Sequence, residues 1–175
     1  GLSAGDYTVT VTDGNGCAKE SAALTLTQPD AVTSSVVVSS DFNGADISCN
    51  GLTDGEATAT PGGGAPLNNP TYTYQWNDAG VAISGKTDAI ATGLGDGTYT
   101  CTVTDENSCS TTSADLTLTE PDVLSSSSSV TDVVCNGAST GEIDLTVSGG
   151  TTAYSYSWTN DSGGGVIATT EDITA

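Results

Sequence analysis

The sequence has 175 residues, with 22 acids against only Lys19 and Lys86, a net charge of −20 and no histidine. Without His, the Ser-His-Asp and Cys-His dyads, the usual zinc and haem ligands and the commonest general base are excluded. Two cations cannot neutralise a phosphate backbone, so nucleic acid and anionic membrane surfaces are repelled. No apolar run approaches the roughly 18 residues needed to span a bilayer, so membrane insertion is not expected either. No signal peptide opens the sequence, and for an exported protein that signal is expected outside these residues.

Hydrophobic residues make up 35 % of the chain and charged ones 14 %, which is not the profile of a disordered polymer. Tyr, Trp, Val, Ile and Thr fall in short alternating runs, as strands require, and no window holds helical spacing for three turns. The fold class is all-β. Taken in chain order, GLSAGDYTVTVTDGNGC (1–17) returns as GLGDGTYTCTVTDENSC (93–109), and LTLTQPD (24–30) as LTLTEPD (116–122). At an offset of 92, residues 1–35 match their counterparts at 21 positions, far beyond chance for one strand pattern. CNGLTDGEATAT (49–60) recurs as CNGASTGEIDLT (135–146), and TYTYQW (71–76) as AYSYSW (153–158). These offsets shrink to 86 and then 82, which places insertions at DFNGAD (41–46) and GAPLNNP (64–70), both of loop composition.

Pro29-Asp30 and Pro121-Asp122 mark joints, because proline cannot continue a central strand. The expected division is residues 1–32 as the last two strands of one repeat, 33–122 as a complete repeat, and 123–175 as the opening strands of the next. Joining residue 175 to residue 1 would restore a normal repeat. The sequence is therefore expected to be a window onto a longer array. The alternative is a subunit that polymerises by lending its first two strands to a neighbour.

Within 33–122, strands are expected at 34–48, 56–61, 71–77, 81–84, 88–93, 98–104 and 110–120, split by Gly, Asn and Asp turns. Tyr99, Cys101 and Val103 point to one face and Thr100, Thr102 and Thr104 to the other; Leu116 and Leu118 alternate with Thr117 and Thr119. Ile143, Leu145 and Val147 likewise alternate with Glu142, Asp144 and Thr146. One apolar and one Thr-rich face per strand is the pattern of two antiparallel sheets packed face to face, with Trp76, Tyr99, Val103 and Leu118 expected between them. Tyr99 stands two residues before Cys101 after a Gly-Asp-Gly corner, and Trp76 lies on the third expected strand. Both features point to tandem immunoglobulin-like antiparallel β-sandwich repeats. The departure is that residues 56–61 offer Ala57 and Ala59 and no Cys, so the usual inter-sheet pin is missing. Cys101, replaced by Val9 in the earlier repeat, reads as a buried free thiol.

The combination CNGxxxG, Tyr-Thr-Tyr-x-Trp, GxYTxTVTDxNxC and LTLTEP resembles the SprB-type repeat of very large surface proteins of gliding Bacteroidota bacteria, over nearly the whole chain. The resemblance implies a structural segment of an extracellular, cell-surface adhesin or filament exported by the type IX system, with neighbouring repeats as partners and surface polysaccharide as a candidate partner. It carries no catalytic residues, and no paired acid/base site is legible, so no enzyme is expected. A glycan-binding module, or an accessory domain of a larger secreted enzyme, is the alternative.

Calcium is the candidate cofactor, because loop Asp, Asn and carbonyl groups supply the oxygen ligands it needs. Asp105, Asn107 and Asp30 are expected to converge where a turn of one repeat meets the linker from the previous one, although Asp and Asn are also ordinary turn residues. Tyr72, Tyr74 and Trp76 read as core packing rather than a sugar-stacking platform, and Ser125–Ser129 as an edge segment or flexible joint. Two cysteine positions recur, Cys49 with Cys135 and Cys17 with Cys109, which suggests bridges in an exported array. Cys49 and Cys109 are expected at opposite ends of one repeat, about 25 Å apart along the strands and beyond the ~7 Å Cα separation of a disulfide. Bridges between consecutive repeats are preferred over a Cys49–Cys109 bond.

Overall fold

The computed structural model describes residues 1–65, 71–161 and 164–174; residues 66–70, 162, 163 and 175 are outside the description. Part of the GAPLNNP insertion therefore lies outside the described residues. Among the described residues all sixteen regular elements are strands, and no helix there is long and apolar enough to cross a membrane.

In chain order they are β1 (Gly5–Tyr7), β2 (Thr10–Thr12), β3 (Ala18–Glu20), β4 (Leu24–Leu26), β5 (Thr33–Val38), β6 (Gly55–Gly62), β7 (Tyr72–Asp78), β8 (Val81–Ala82), β9 (Ile90–Leu94), β10 (Gly97–Asp105), β11 (Ser110–Thr112), β12 (Leu116–Leu118), β13 (Ser125–Thr131), β14 (Glu142–Ser148), β15 (Trp158–Thr159) and β16 (Val166–Ala168). The middle repeat forms two antiparallel sheets. One is ordered β5-β6-β9; the other is β11-β10-β7-β8, with β12 also paired to β10. Strand β5 lies against β10, β11 and β12, so the two sheets face each other and form a β-sandwich.

The alternation read from the sequence is realised in burial. Every second residue of β10 (Tyr99, Cys101, Val103, Asp105) is buried, as are Ala57, Ala59, Trp76, Ala91, Leu94 and Leu118. Ala57, Ala59 and Ala91 share one buried cluster with Trp76, which is 0 % exposed. Its Nε1–H donates to the Asp88 carbonyl at 3.0 Å, so the buried ring leaves no polar atom unpaired. The Tyr99 hydroxyl donates to the Gly95 carbonyl, four residues back, at 3.0 Å, which closes the corner before β10.

Three strands are shorter than expected, and the one expected at 81–84 ends at Ala82. The first ends at Val38 rather than 48, because Ser40 turns the chain. Its hydroxyl donates to the Asp46 carbonyl and accepts from the Glu56 N–H, while Asn43 and Gly44 adopt positive φ in a turn closed by Asp41. The last expected strand is interrupted at Ser113, whose hydroxyl takes the Cys101 N–H at 3.0 Å and so replaces a ladder bond.

The flanking repeats reproduce parts of this pattern. β1–β4 and β2–β3 pair in the registers of β10–β12 and β10–β11, each residue shifted by 92. β13–β14 pairs as β5–β6 does, with Ser125 opposite Ser148 where Thr33 opposes Gly62. The Ser125–Ser129 run is thus strand, part of β13.

Candidate functional site: the joint between repeats

Each joint is built from a linker and a Gly-Gly turn. Gly64 N–H donates to the Asp30 carbonyl at 2.9 Å, and Gly150 N–H to the Asp122 carbonyl at 2.7 Å. The preceding glycines, Gly63 and Gly149, have φ of 67° and 71°. A Cβ on either would fall 2.0 Å from the Ala31 carbonyl oxygen or 2.1 Å from that of Val123. Glycine is therefore required twice over, by backbone conformation and by the closeness of the linker. The Tyr72 hydroxyl donates to the Gly63 carbonyl at 2.6 Å, and Tyr154 does the same to Gly149. These aromatics hold the turn from inside the repeat.

Asp105 organises the upstream end of the middle repeat. Its Oδ2 accepts from Ala65 N–H at 3.0 Å, and its Oδ1 from Asn107 and Cys109 N–H at 3.0 and 2.8 Å. The Ala65 bond is the largest cause that holds its carboxyl below the usual carboxylate range; the Cys109 and Asn107 bonds add to it and desolvation opposes it. Asp30, Asp105, Asn107 and Cys109 line one hollow of about 290 Å³ with Gln28, Val32 and Gly64. The structure therefore brings the three candidate calcium residues together, with Asp105 bonded by the turn itself. No group of three Asp, Glu, His or Cys suited to a metal occurs among the described residues.

The downstream end is tied to the next linker by side chains the sequence reading did not single out. Asp46 Oδ2 accepts from Thr119 N–H and hydroxyl at 2.9 and 3.0 Å. Glu120 accepts from Asn50 Nδ2 at 2.7 Å and Gly51 N–H at 2.6 Å, and Asn50 also donates to the Pro121 carbonyl at 3.1 Å. Thr151 of the following repeat donates to the Ser48 carbonyl at 3.2 Å. The recurring Asn-Gly after Cys49 and Cys135, and the recurring Gly pairs, were the available signals for these contacts.

All five cysteines are free; Cys17, Cys49, Cys109 and Cys135 are exposed, and Cys101 is buried. Burial pushes the Cys101 thiol up to about 11. Cys109 borders the hollow around Gln28–Val32, whereas Cys49 borders the one around Asp122–Leu124. These flank opposite ends of β10, whose nine residues span about 30 Å. Tyr72 and Tyr74 are part-buried and pack against the core beside Trp76, so the aromatic run of the middle repeat is interior.

An all-β chain whose strand pairings and joint recur at offsets of 82, 86 and 92 residues is a tandem-repeat protein. Two stretches, residues 42–81 and 127–163, match the family model of the SprB repeat. Each matching stretch spans one Cys-Asn-Gly motif and one strand Trp, Trp76 or Trp158. That family is a structural repeat of large cell-surface proteins. Neither the curated proteins nor the solved structures provide a match.

Proposed function

We propose that the chain is a segment of an extracellular surface rod, divided as 1–32, 33–122 and 123–175, whose immunoglobulin-like sandwiches give reach for adhesion. The observation that carries this is the joint, constructed twice with the same Gly–Asp backbone bond and the same tyrosine brace. Equivalent joints impose one relation between successive repeats, and a repeated relation generates a rod. The net charge of −20 keeps neighbouring rods apart. Type IX export and a role in gliding adhesion follow from the family resemblance. The chain has no catalytic role in this reading.

Antibody against residues 33–122 is expected to label intact, unpermeabilised cells, and deletion of the repeats to reduce attachment to polysaccharide-coated surfaces. Label that requires lysis, or attachment unchanged after deletion, refutes the reading. Calcium belongs to the same proposal as a stiffener of the joint through Asp30, Asp105 and Asn107. Two carboxylates and one amide are a sparse donor set, so water would complete the coordination. A melting temperature unchanged by EDTA rules calcium out.

A further inference from the structure

Four Asn-Gly pairs stand in the sequence: Asn15-Gly16, Asn43-Gly44, Asn50-Gly51 and Asn136-Gly137. In such a pair the glycine nitrogen, unhindered by a Cβ, can attack the asparagine Cγ and expel the side-chain amide. The attack requires the glycine N–H to give up its proton. Whatever accepts a hydrogen bond from that N–H therefore governs how fast the pair reacts.

That acceptor differs in kind between three of the pairs. Gly16 N–H donates to the Asp13 carbonyl at 3.0 Å, and Gly44 N–H to Asp41 Oδ1 at 2.7 Å. Both acceptors lie three residues back in the same turn and travel with it. Gly51 N–H donates instead to Glu120 Oε2 at 2.6 Å, across 69 residues of sequence. Asn50 Nδ2 donates to Oε1 of the same carboxylate at 2.7 Å and to the Pro121 carbonyl at 3.1 Å. Both reacting groups are thus held by one side chain on the linker to the next repeat. Asn50 and Gly51 are exposed, so solvent reaches the pair as soon as that linker moves away.

We propose that Asn50 is a deamidation site that the closed joint protects and an opened joint releases. While Glu120 is in place, its negative charge opposes removal of the Gly51 proton, and its bond to Nδ2 pins the carboxamide. When the linker pulls away, hydroxide takes the Gly51 proton and the nitrogen attacks Asn50 Cγ. The new C–N bond displaces the side-chain nitrogen, which leaves as ammonia after taking a proton from water, and that restores the hydroxide. One water then cleaves either C–N bond of the cyclic imide, leaving aspartate or isoaspartate. Either product sets a carboxylate against Glu120 and the Pro121 carbonyl, acceptors with no hydrogen to share. The joint then does not close as before, so an opening is recorded irreversibly. This inference rests on the joint and not on where the protein acts.

The test is peptide mass spectrometry of the 175-residue chain during incubation at neutral pH with reductant. Asn50 should convert about tenfold more slowly in the folded chain than in urea, the factor carried by one hydrogen bond to a charged group. Glu120→Ala should raise conversion at Asn50 by about the same factor and leave Asn43 unchanged, because Asp41 still holds Gly44. Glu120→Gln, which keeps the shape and one acceptor but no charge, should fall between the two. Asn50→Asp, the product itself, should speed hydrogen exchange at the Thr119 N–H, whose bond to Asp46 closes the same end of the repeat. The proposal is overturned by Asn50 converting in the folded parent as fast as in urea, or by both Glu120 variants leaving its rate unchanged. Asn43 accelerating in step with Asn50 in both variants, or Thr119 exchange unaltered by Asn50→Asp, overturns it equally.

Discussion

TYTYQW at 71–76 and AYSYSW at 153–158 carry the same aromatic spacing, yet only the first lies in a continuous strand. Both tryptophans make the same bond, Nε1–H to a carbonyl twelve residues on at 3.0 Å, and both second-position tyrosines brace a Gly-Gly turn. What differs is the neighbour. Trp76 is covered by β10 and fully buried; Trp158 has no such strand over it and is only part-buried. The upstream hairpin teaches the converse. β10 runs unbroken for nine residues, whereas its counterpart splits into β1 and β2 around Thr8 and Val9. Local bonds set the anchors, but a sheet partner is needed to hold the strand between them.

That comparison breaks most readily at the tryptophans. Trp76→Ala should cost about 3–5 kcal/mol in urea unfolding, the range for a large core aromatic. Trp158→Ala should cost no more than about 1–2 kcal/mol in residues 1–175, since less apolar area is lost from cover. Equal losses would mean that residues 123–174 pack as well alone as the middle repeat does.

The glycines give the next largest effect. Gly63→Ala combines a positive φ with overlap on the Ala31 carbonyl, and about 1–3 kcal/mol is expected from the backbone strain alone, with faster hydrogen exchange at Gly64. Gly80→Ala shares the positive φ but meets nothing within 4 Å, so it should leave exchange at the joint unchanged. If both variants loosen the joint alike, the close approach of the linker is not what fixes it.

A smaller difference separates Asp105 from Asp13. Asp13 accepts from Asn15 and Cys17 N–H; Asp105 repeats those bonds and adds Ala65. Asp105→Ala should lower the melting temperature more than Asp13→Ala. Because the Asp105 carboxyl is held low, its contribution is full above the usual carboxylate range and is lost as the pH falls through its lowered pKa. Thermal scans of parent and Asp105→Ala should therefore converge in acid. Curves that stay parallel would contradict this.

Cys101→Val should change least, within about 1.5 kcal/mol, because the swap nearly conserves volume and valine already stands there as Val9. In the parent, the four exposed thiols should react with iodoacetamide at neutral pH, while Cys101 waits for unfolding. Rapid labelling of Cys101 would show an open sandwich.

The sequence by itself determined the all-β class, the repeat offsets, the buried face of β10 and the tyrosine and tryptophan anchors. Each follows from period-two alternation or from a residue bonding a few positions away, and such information is local. It also placed Cys49 and Cys109 at opposite ends, although the first strand is shorter than the one that reading assumed. The tertiary structure alone decided where that strand stops, because Ser40 bonds Asp46 and Glu56 across a turn. It alone revealed Gly63, Gly64, Asp46, Asn50 and Glu120 as the joint, since their partners lie on other elements, up to 73 residues away for Asp46 and Thr119. It also decided that the same aromatic spacing is core at 72–76 and only part-buried at 154–158, because burial depends on the strand across the sheet.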